Sequence, residues 1–363
     1  METKIIIHIN KKIKIIISII IIIFIIFIIF NKKIKVGIIG LEHSQNCGNN
    51  LLKYSIFIEI RKLGYDPYIV GMRYHHDNIT FIQNHAKIRL IKQSFQEIKQ
   101  NDYDILMVNS DQTWRKHNEK YFYDFAFLKF AEKWNIPKFV YGASLGMDKW
   151  NLNQKDVEIA KFLLKNFTGI SVREKGSIKI VKKHLGIKPI FVLDPTLLID
   201  RKYYLKLIKN YKNDIIIDDN YIFVYTLENS IKLKRYINKL IETTNYKIYL
   251  ITITVKNQIE KFIYGIYKAK AVITDSFHGT IFSIIFDKPF ISFIEKERGN
   301  ERFNSLKEVF GIGNRIFDYN STPDFKLLMA KPNINKTLLK SLKEQSINYL
   351  KKNLNFYKKN YNI

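Results

Sequence analysis

Along this chain, short apolar runs end in polar turns and give way to stretches whose apolar positions repeat at helical spacing. Lys35–Ile39, ending in Gly40, predicts a first strand. Leu51–Leu63 predicts a helix that packs through Leu51, Leu52, Ser55, Ile56, Ile58 and Leu63 and stops at Gly64. Asp66–Val70, Asp104–Val108, Lys138–Gly142, Gly169–Val172 and Ile190–Leu193 predict further strands. A second series follows at Tyr221–Thr226, Lys247–Ile253, Ala271–Thr274 and Pro289–Phe293, with Ser230–Thr243 as its clearest helix. Strands alternating with helices imply the α/β class, with mainly parallel sheets covered by helices. Two such series predict two Rossmann-like domains facing a cleft, over residues 34–210 and 211–330, with the boundary inside Tyr203–Asp219. Residues 331–363 form a helical tail, and its Lys336–Asn355 stretch is expected to pack back across a domain.

One run differs from the rest. Ile15–Phe30 is apolar but for Ser18, with Lys11, Lys12 and Lys14 before it and Lys32, Lys33 and Lys35 after it. As a helix it spans about 24 Å, against about 30 Å of hydrocarbon, and snorkelling lysines make up the difference. A cleaved signal needs small residues at its end, yet the first alanine is Ala86. Residues 1–33 therefore read as a single-pass membrane anchor, with an uninserted apolar leader as the alternative.

Composition narrows the picture. The 363 residues are 47% hydrophobic, which excludes a disordered chain. The formal charge is +27, but its lysines are spread along the sequence without a long basic block in the globular part, so no nucleic-acid partner is expected. Such a field would still steer an anionic substrate. Cys47 is the only cysteine, so neither an intrachain disulfide nor a multi-cysteine metal site is possible. His75 and His76 are adjacent, which does not suit a shared metal face.

The candidate chemistry lies in Ala271–Phe286. There an apolar strand runs into Asp275, Ser276, Phe277, His278, Gly279 and Thr280, and then into an apolar helix. A helix start presents N–H groups to an anion. His278 there would exchange a proton near neutral pH, Asp275 would orient it or hold the turn, and Ser276 would cap the helix. The alternative is a turn in which all three are structural.

These residues carry a resemblance. The chain resembles the polysaccharide pyruvyl transferase family, whose D-S-F-H-G-T element matches Asp275–Thr280. Gly48-Asn49-Asn50-Leu51 with Tyr54, Gly142-Ala143-Ser144 with Gly146, Ser171-Val172-Arg173-Glu174, Asp194-Pro195, Arg298-Gly299, Arg302-Phe303 and Ser305-Leu306 match in order, over roughly Lys35–Ile316. The resemblance implies a fold similar to the two-domain GT-B glycosyltransferases. It also implies transfer of a pyruvyl group from phosphoenolpyruvate to a sugar, usually as a ketal, with no cofactor beyond that co-substrate and no metal. His278 and Asp275 are then the expected catalytic pair. Arg173, Ser276, Gly279, Thr280, Arg298 and Arg302 are the expected donor contacts, since arginine pairs well with carboxylate and phosphate. Asn46, Asn49, Asp111, Gln112 and Trp114 are the expected acceptor contacts, Trp114 by stacking on a sugar ring. A glycan or lipid-linked sugar is the expected partner, and phosphoenolpyruvate places the catalytic domain on the cytosolic side of the membrane. Leu52 stands where many relatives have glutamine, and the Ile253–Phe262 region is short for the family. A nucleotide-sugar glycosyltransferase and a tethered glycan-binding protein without catalysis remain alternatives.

Overall fold

A computed structural model describes residues 33–40, 46–72, 83–91, 94–116, 121–211, 220–228, 230–252, 258–294 and 300–360. The first sheet contains β1 Lys35–Ile39, β2 Asp66–Met72, β3 Ile88–Ile91, β4 Ile105–Val108, β5 Lys138–Ala143, β6 Gly169–Val172 and β7 Ile190–Phe191. All seven are parallel, in the order β3-β2-β1-β4-β5-β6-β7. The second sheet contains β8 Tyr221–Thr226, β9 Lys247–Thr252, β10 Ala271–Thr274, β11 Phe290–Ile294 and β12 Ile316–Asp318. It too is parallel, in the order β12-β11-β10-β8-β9. Central strands such as β4, β8 and β10 are buried at every position. This is why they read as unbroken apolar runs: helices cover both faces of a parallel sheet.

Strand order reverses between β1 and β4 in the first sheet and between β8 and β10 in the second. At such a reversal the loops leaving the two strands diverge and open a crevice at their carboxyl ends. The turns after β4, at Asp111, and after β10, at Asp275, lie at these two places, whereas Arg173 and Asp194 follow β6 and β7 further along the first sheet.

The structure departs from the sequence reading at several elements. Two edge strands, β3 and β12, went unseen, because a run of three or four residues with partial exposure carries little pattern. The first helix spans Cys47–Lys62, beginning four residues before the expected Leu51. Its start is fixed by Asn46, whose side chain accepts from the Gly48 N–H at 2.8 Å, a cap that offsets the poor helix propensity of Gly-Asn-Asn. This helix is buried over most of its surface and packs against the helix Gln258–Lys268 of the second domain. One apolar cluster thereby runs continuously from the first sheet to the second.

The last helix, Lys336–Asn360, returns to the first domain. The Tyr349 hydroxyl donates to the Val140 carbonyl at 2.7 Å, the Leu193 N–H donates to Ser346 Oγ at 2.9 Å, and the Tyr65 hydroxyl donates to Asn355 Oδ1 at 2.7 Å. Residues 1–32, on which the anchor reading falls, lie outside the described residues. Among the described residues no helix is long and apolar enough to cross a membrane.

Candidate active site

The chain leaves β10 through Asp275 and Ser276 and enters the helix Phe277–Ile285. Thr274 Oγ1 accepts from the Ser276 N–H at 3.0 Å, and Ser276 Oγ caps the helix by accepting from the Gly279 N–H at 3.3 Å. A Cβ on Gly279 would stand 2.3 Å from Thr274 Oγ1, so only glycine lets the turn close this tightly. Thr280 turns its hydroxyl inward, 2.6 Å from Ser292 Oγ. Gly279 and Thr280 thus spend their polar groups inside the turn. Their expected role as donor contacts is corrected to shaping it, and Ser276 combines the cap with a place in the pocket wall.

Asp275 also needs correction. Its carboxylate accepts from Thr226 Oγ1 at 2.7 Å, Leu227 N–H at 2.7 Å, Glu228 N–H at 3.0 Å and the Tyr319 hydroxyl at 3.0 Å. Four donors tie the loop after β8 to the loop after β10. The carboxylate is saturated by this work, with no hydrogen bond or ion pair to His278, so it is not a catalytic partner of the imidazole.

The carboxylate that faces His278 is Asp194, which the sequence reading left without a role in the site. Asp194 Oδ2 stands 3.6 Å from His278 Nε2 and 2.6 Å from Arg173 Nη1. The imidazole is buried between this carboxylate and the helix start at Gly48 in the first domain. A Cβ on Gly48 would fall 2.2 Å from His278 Cγ and Nδ1, so a glycine at that point lets the two domains meet around the ring.

Arg173, at the end of β6, has no exposed side-chain surface. Besides Asp194 it pairs with Asp111 at 2.9 Å, and its Nε stands 3.6 Å from Glu174 Oε1. Asp111 in turn accepts from Asn49 Nδ2 at 2.6 Å. Asp111 reaches this position with φ of 89°, a backbone state uncommon outside glycine, though aspartate tolerates it better than most residues. Burial alone would raise the Asp111 carboxyl. The Arg173 guanidinium first, then the neighbouring His278 ring, the Asn49 hydrogen bond and Arg302, outweigh burial and bring it down to about 2. Asp194 is held well below the ordinary carboxylate range in the same way, by His278, Arg173 and Thr196 against burial. Arg173 is therefore committed to carboxylates, and the expectation that it grips the donor is corrected: its charge is already balanced, and it organises the site.

Arg302 is different. Among the described residues it makes no ion pair, and its Nε is buried without a hydrogen-bond partner. Its guanidinium and that of Arg173 stack on the same ring, 5.5 and 4.9 Å from the centroid of Phe277. Burial and the like charge of Arg173 pull the Arg302 guanidinium down to about 10. Arg302 is half-buried, and a partly desolvated cation beside another cation, with no carboxylate partner among the described residues, is stabilised when an anion joins it. Arg302, Ser276, His278 and Asn46 line one small pocket between the domains, with a cavity of about 30 Å³. Arg298, the remaining expected donor contact, lies outside the described residues.

The expected acceptor platform does not assemble. Trp114 is wholly buried: its indole N–H donates to the Ala126 carbonyl at 3.0 Å, and it stacks on Trp150 at 5.6 Å, so no sugar can reach it. Gln112 folds against Gly146. Asn49 and Asp111 bond each other and Arg173. Of the five, Asn46 alone lines the pocket. Cys47 is buried, which pushes its thiol up and away from nucleophilic use. Among the described residues no group of three or more His, Cys, Asp or Glu is arranged to hold a metal ion.

Comparison with known proteins agrees with this layout. The UDP-GlcNAc 2-epimerase of Methanocaldococcus jannaschii superposes with a TM-score of 0.53 at 15% identity, covering 86% of this chain and 98% of that one. The MnaA protein of S. aureus, solved with UDP, superposes with a TM-score of 0.51 at 14% identity, covering 89% and 97%. At these identities the likeness is one of fold: two parallel α/β sheets in a GT-B-like arrangement. No curated protein matches the chain. The profile of the polysaccharide pyruvyl transferases matches residues 46–296, from the cap of the first helix past the Asp275–Thr280 turn. This stretch holds Gly48, Arg173, Asp194 and His278 in one interlocked cluster, and the chain belongs to the polysaccharide pyruvyl transferase family.

Proposed function

We propose that the cleft moves a pyruvyl group from phosphoenolpyruvate to a sugar of a cell-surface polysaccharide or its lipid-linked precursor. The observation that supports this reading is a buried histidine beside an arginine that has no carboxylate partner among the described residues, on the wall of one pocket. Phosphoenolpyruvate brings a carboxylate and a phosphate. Arg302 receives one of them bidentately, and the first turn of the helix Phe277–Ile285 faces the same pocket.

The chemistry balances as follows. A proton reaches the methylene carbon of the enol, making it a methyl group. One sugar hydroxyl adds to the neighbouring carbon, the carbon–oxygen bond to phosphate breaks, and the second hydroxyl closes the ketal. Of the two hydroxyl protons released overall, one replaces that given to the methylene carbon and one leaves on phosphate. His278 serves as the group that carries these protons. The residues 1–33 segment anchors the enzyme, and the cleft works on the cytosolic side, where this donor is made.

The test is phosphate release from phosphoenolpyruvate with a panel of glycan acceptors, compared with His278→Ala and Arg302→Gln. Removing a charged donor from a bound anion costs about 1.5–3 kcal/mol, so Arg302→Gln should weaken donor affinity by one to two orders of magnitude. His278→Ala should abolish turnover while still binding the donor. A chain that binds a nucleotide sugar and releases no phosphate from phosphoenolpyruvate is a glycosyltransferase instead.

A further inference from the structure

Asp194 faces three residues, and each constrains it. Its Oδ1 accepts from the Thr196 N–H at 3.0 Å and from Thr196 Oγ1 at 2.6 Å. Its Oδ2 accepts from Arg173 Nη1 at 2.6 Å and faces His278 Nε2 at 3.6 Å. The side chains of Asp194 and His278 are 2% and 5% exposed, and Nε2 has no hydrogen-bond partner. The opposite edge of the ring, at Nδ1, lies against Gly48. The other charged groups in this cluster are Asp111, Arg173, Glu174 and, across Phe277, Arg302.

We propose that Asp194 is a positioning residue for His278: it holds the imidazole with its proton on Nε2 and leaves Nδ1, at the Gly48 edge of the ring, as the nitrogen free to take up a proton. An ionised carboxylate only accepts hydrogen bonds, so a ring nitrogen turned towards it must carry hydrogen. Asp194 is kept ionised by Arg173 and Thr196, which also stop it from rotating away. The 3.6 Å gap is longer than a hydrogen bond. It closes when the ring gains a second proton at Nδ1, because the imidazolium then faces a carboxylate in a site shielded from water. This assignment rests on the reading of the cleft as a pyruvyl-transfer site. The rival role for Asp194 is purely structural, as the anchor of Arg173.

Three measurements on the full chain separate these possibilities. Nitrogen-15 spectra of His278 in the wild type should show the Nε2–H tautomer. Asp194→Asn offers an amide N–H to Nε2, so the tautomer should reverse and kcat should fall by roughly 100-fold or more, while KM and phosphoenolpyruvate affinity stay within about fivefold. Thr196→Val loses one of the bonds to Asp194 Oδ1 yet keeps the arginine pair. It should lower kcat by roughly five- to tenfold, with donor affinity unchanged, and it covers the case in which Asp194→Asn does not fold. A wild-type Nδ1–H tautomer overturns the proposal. So does an Asp194→Asn enzyme that keeps kcat within about twofold, or one whose whole loss appears in donor affinity. If the wild type binds no phosphoenolpyruvate, the donor assignment fails, and the tautomer still decides the role of Asp194.

Discussion

Gly48→Ala is a small change with a large expected effect. Gly48 sits in the first turn of the helix Cys47–Lys62 without a positive φ, so its backbone accepts any residue. An added methyl group would lie 2.2 Å from His278 Cγ and Nδ1 and 2.5 Å from its Cβ. Ordinary contact begins near 3.4 Å, so ring and helix must part by about 1.2 Å. The ring has little room to retreat, since Asp194 stands 3.6 Å behind it. Overpacking of this kind costs about 1–3 kcal/mol, and the better helix propensity of alanine returns up to about 1 kcal/mol. Net destabilisation should therefore be roughly 0–3 kcal/mol. Activity should suffer far more, because a 1 Å misplacement of a reacting group costs roughly 100-fold in rate. The assay is phosphate release at saturating donor, beside urea unfolding of the same preparations. Repeating the urea unfolding in a His278→Ala background closes the stability cycle: with the ring gone, Gly48→Ala should be neutral or stabilising. If Gly48→Ala alone keeps kcat within about twofold, the reading of this contact as the point where the domains meet around a working imidazole is refuted.

Two further outcomes are expected. The Asp111 carboxyl is lowered on folding from 3.8 to about 2, so its stabilising contribution is complete above the unfolded value and is lost as pH falls through the folded one. The fall should amount to about 2 kcal/mol between pH 5 and pH 2 in urea titrations, and Asp111→Asn should flatten that part of the curve. Trp114→Phe removes the bond to the Ala126 carbonyl and part of the stack on Trp150, and should cost about 1–3 kcal/mol of stability with acceptor preference unchanged. A changed acceptor preference would return Trp114 to the sugar site.

The fold was readable where a strand is central and the chain around it is regular. The runs Tyr221–Thr226 and Ala271–Thr274 coincide with β8 and β10, because both lie in the middle of a covered sheet. Short edge strands such as β12 left no such trace. The turn at Asp275–Thr280 stood out because strong apolar runs bracket a polar cluster. Its division of labour did not, since a capping serine, a loop-tying aspartate and a histidine buried between the domains look alike in sequence. Asp194 was visible as a polar residue at a strand end, but its contact with His278 spans the two domains, and no local spacing encodes that. Arg173 reads as an anion-binding residue until its carboxylate partners are placed beside it. Trp114 misled for a related reason: an aromatic ring after a strand suits a sugar platform or a core equally well, and only the burial of its ring edge decides.

The final helix bears on how the chain becomes a protein at all. Lys336–Asn360 seals a face of the first sheet through Ser346, Tyr349 and Asn355. That sheet ends at Phe191, so its last covering piece is made some 150 residues after its last strand. At ribosomal rates of about 5–20 residues per second the interval is roughly ten to thirty seconds. During it, the apolar surface that Tyr349, Leu350 and Leu354 later bury stays open. A nascent chain in that condition is a natural client for chaperones. A premature stop before residue 336 would remove the covering helix from a first domain whose strands are all present, and would leave a product prone to aggregate.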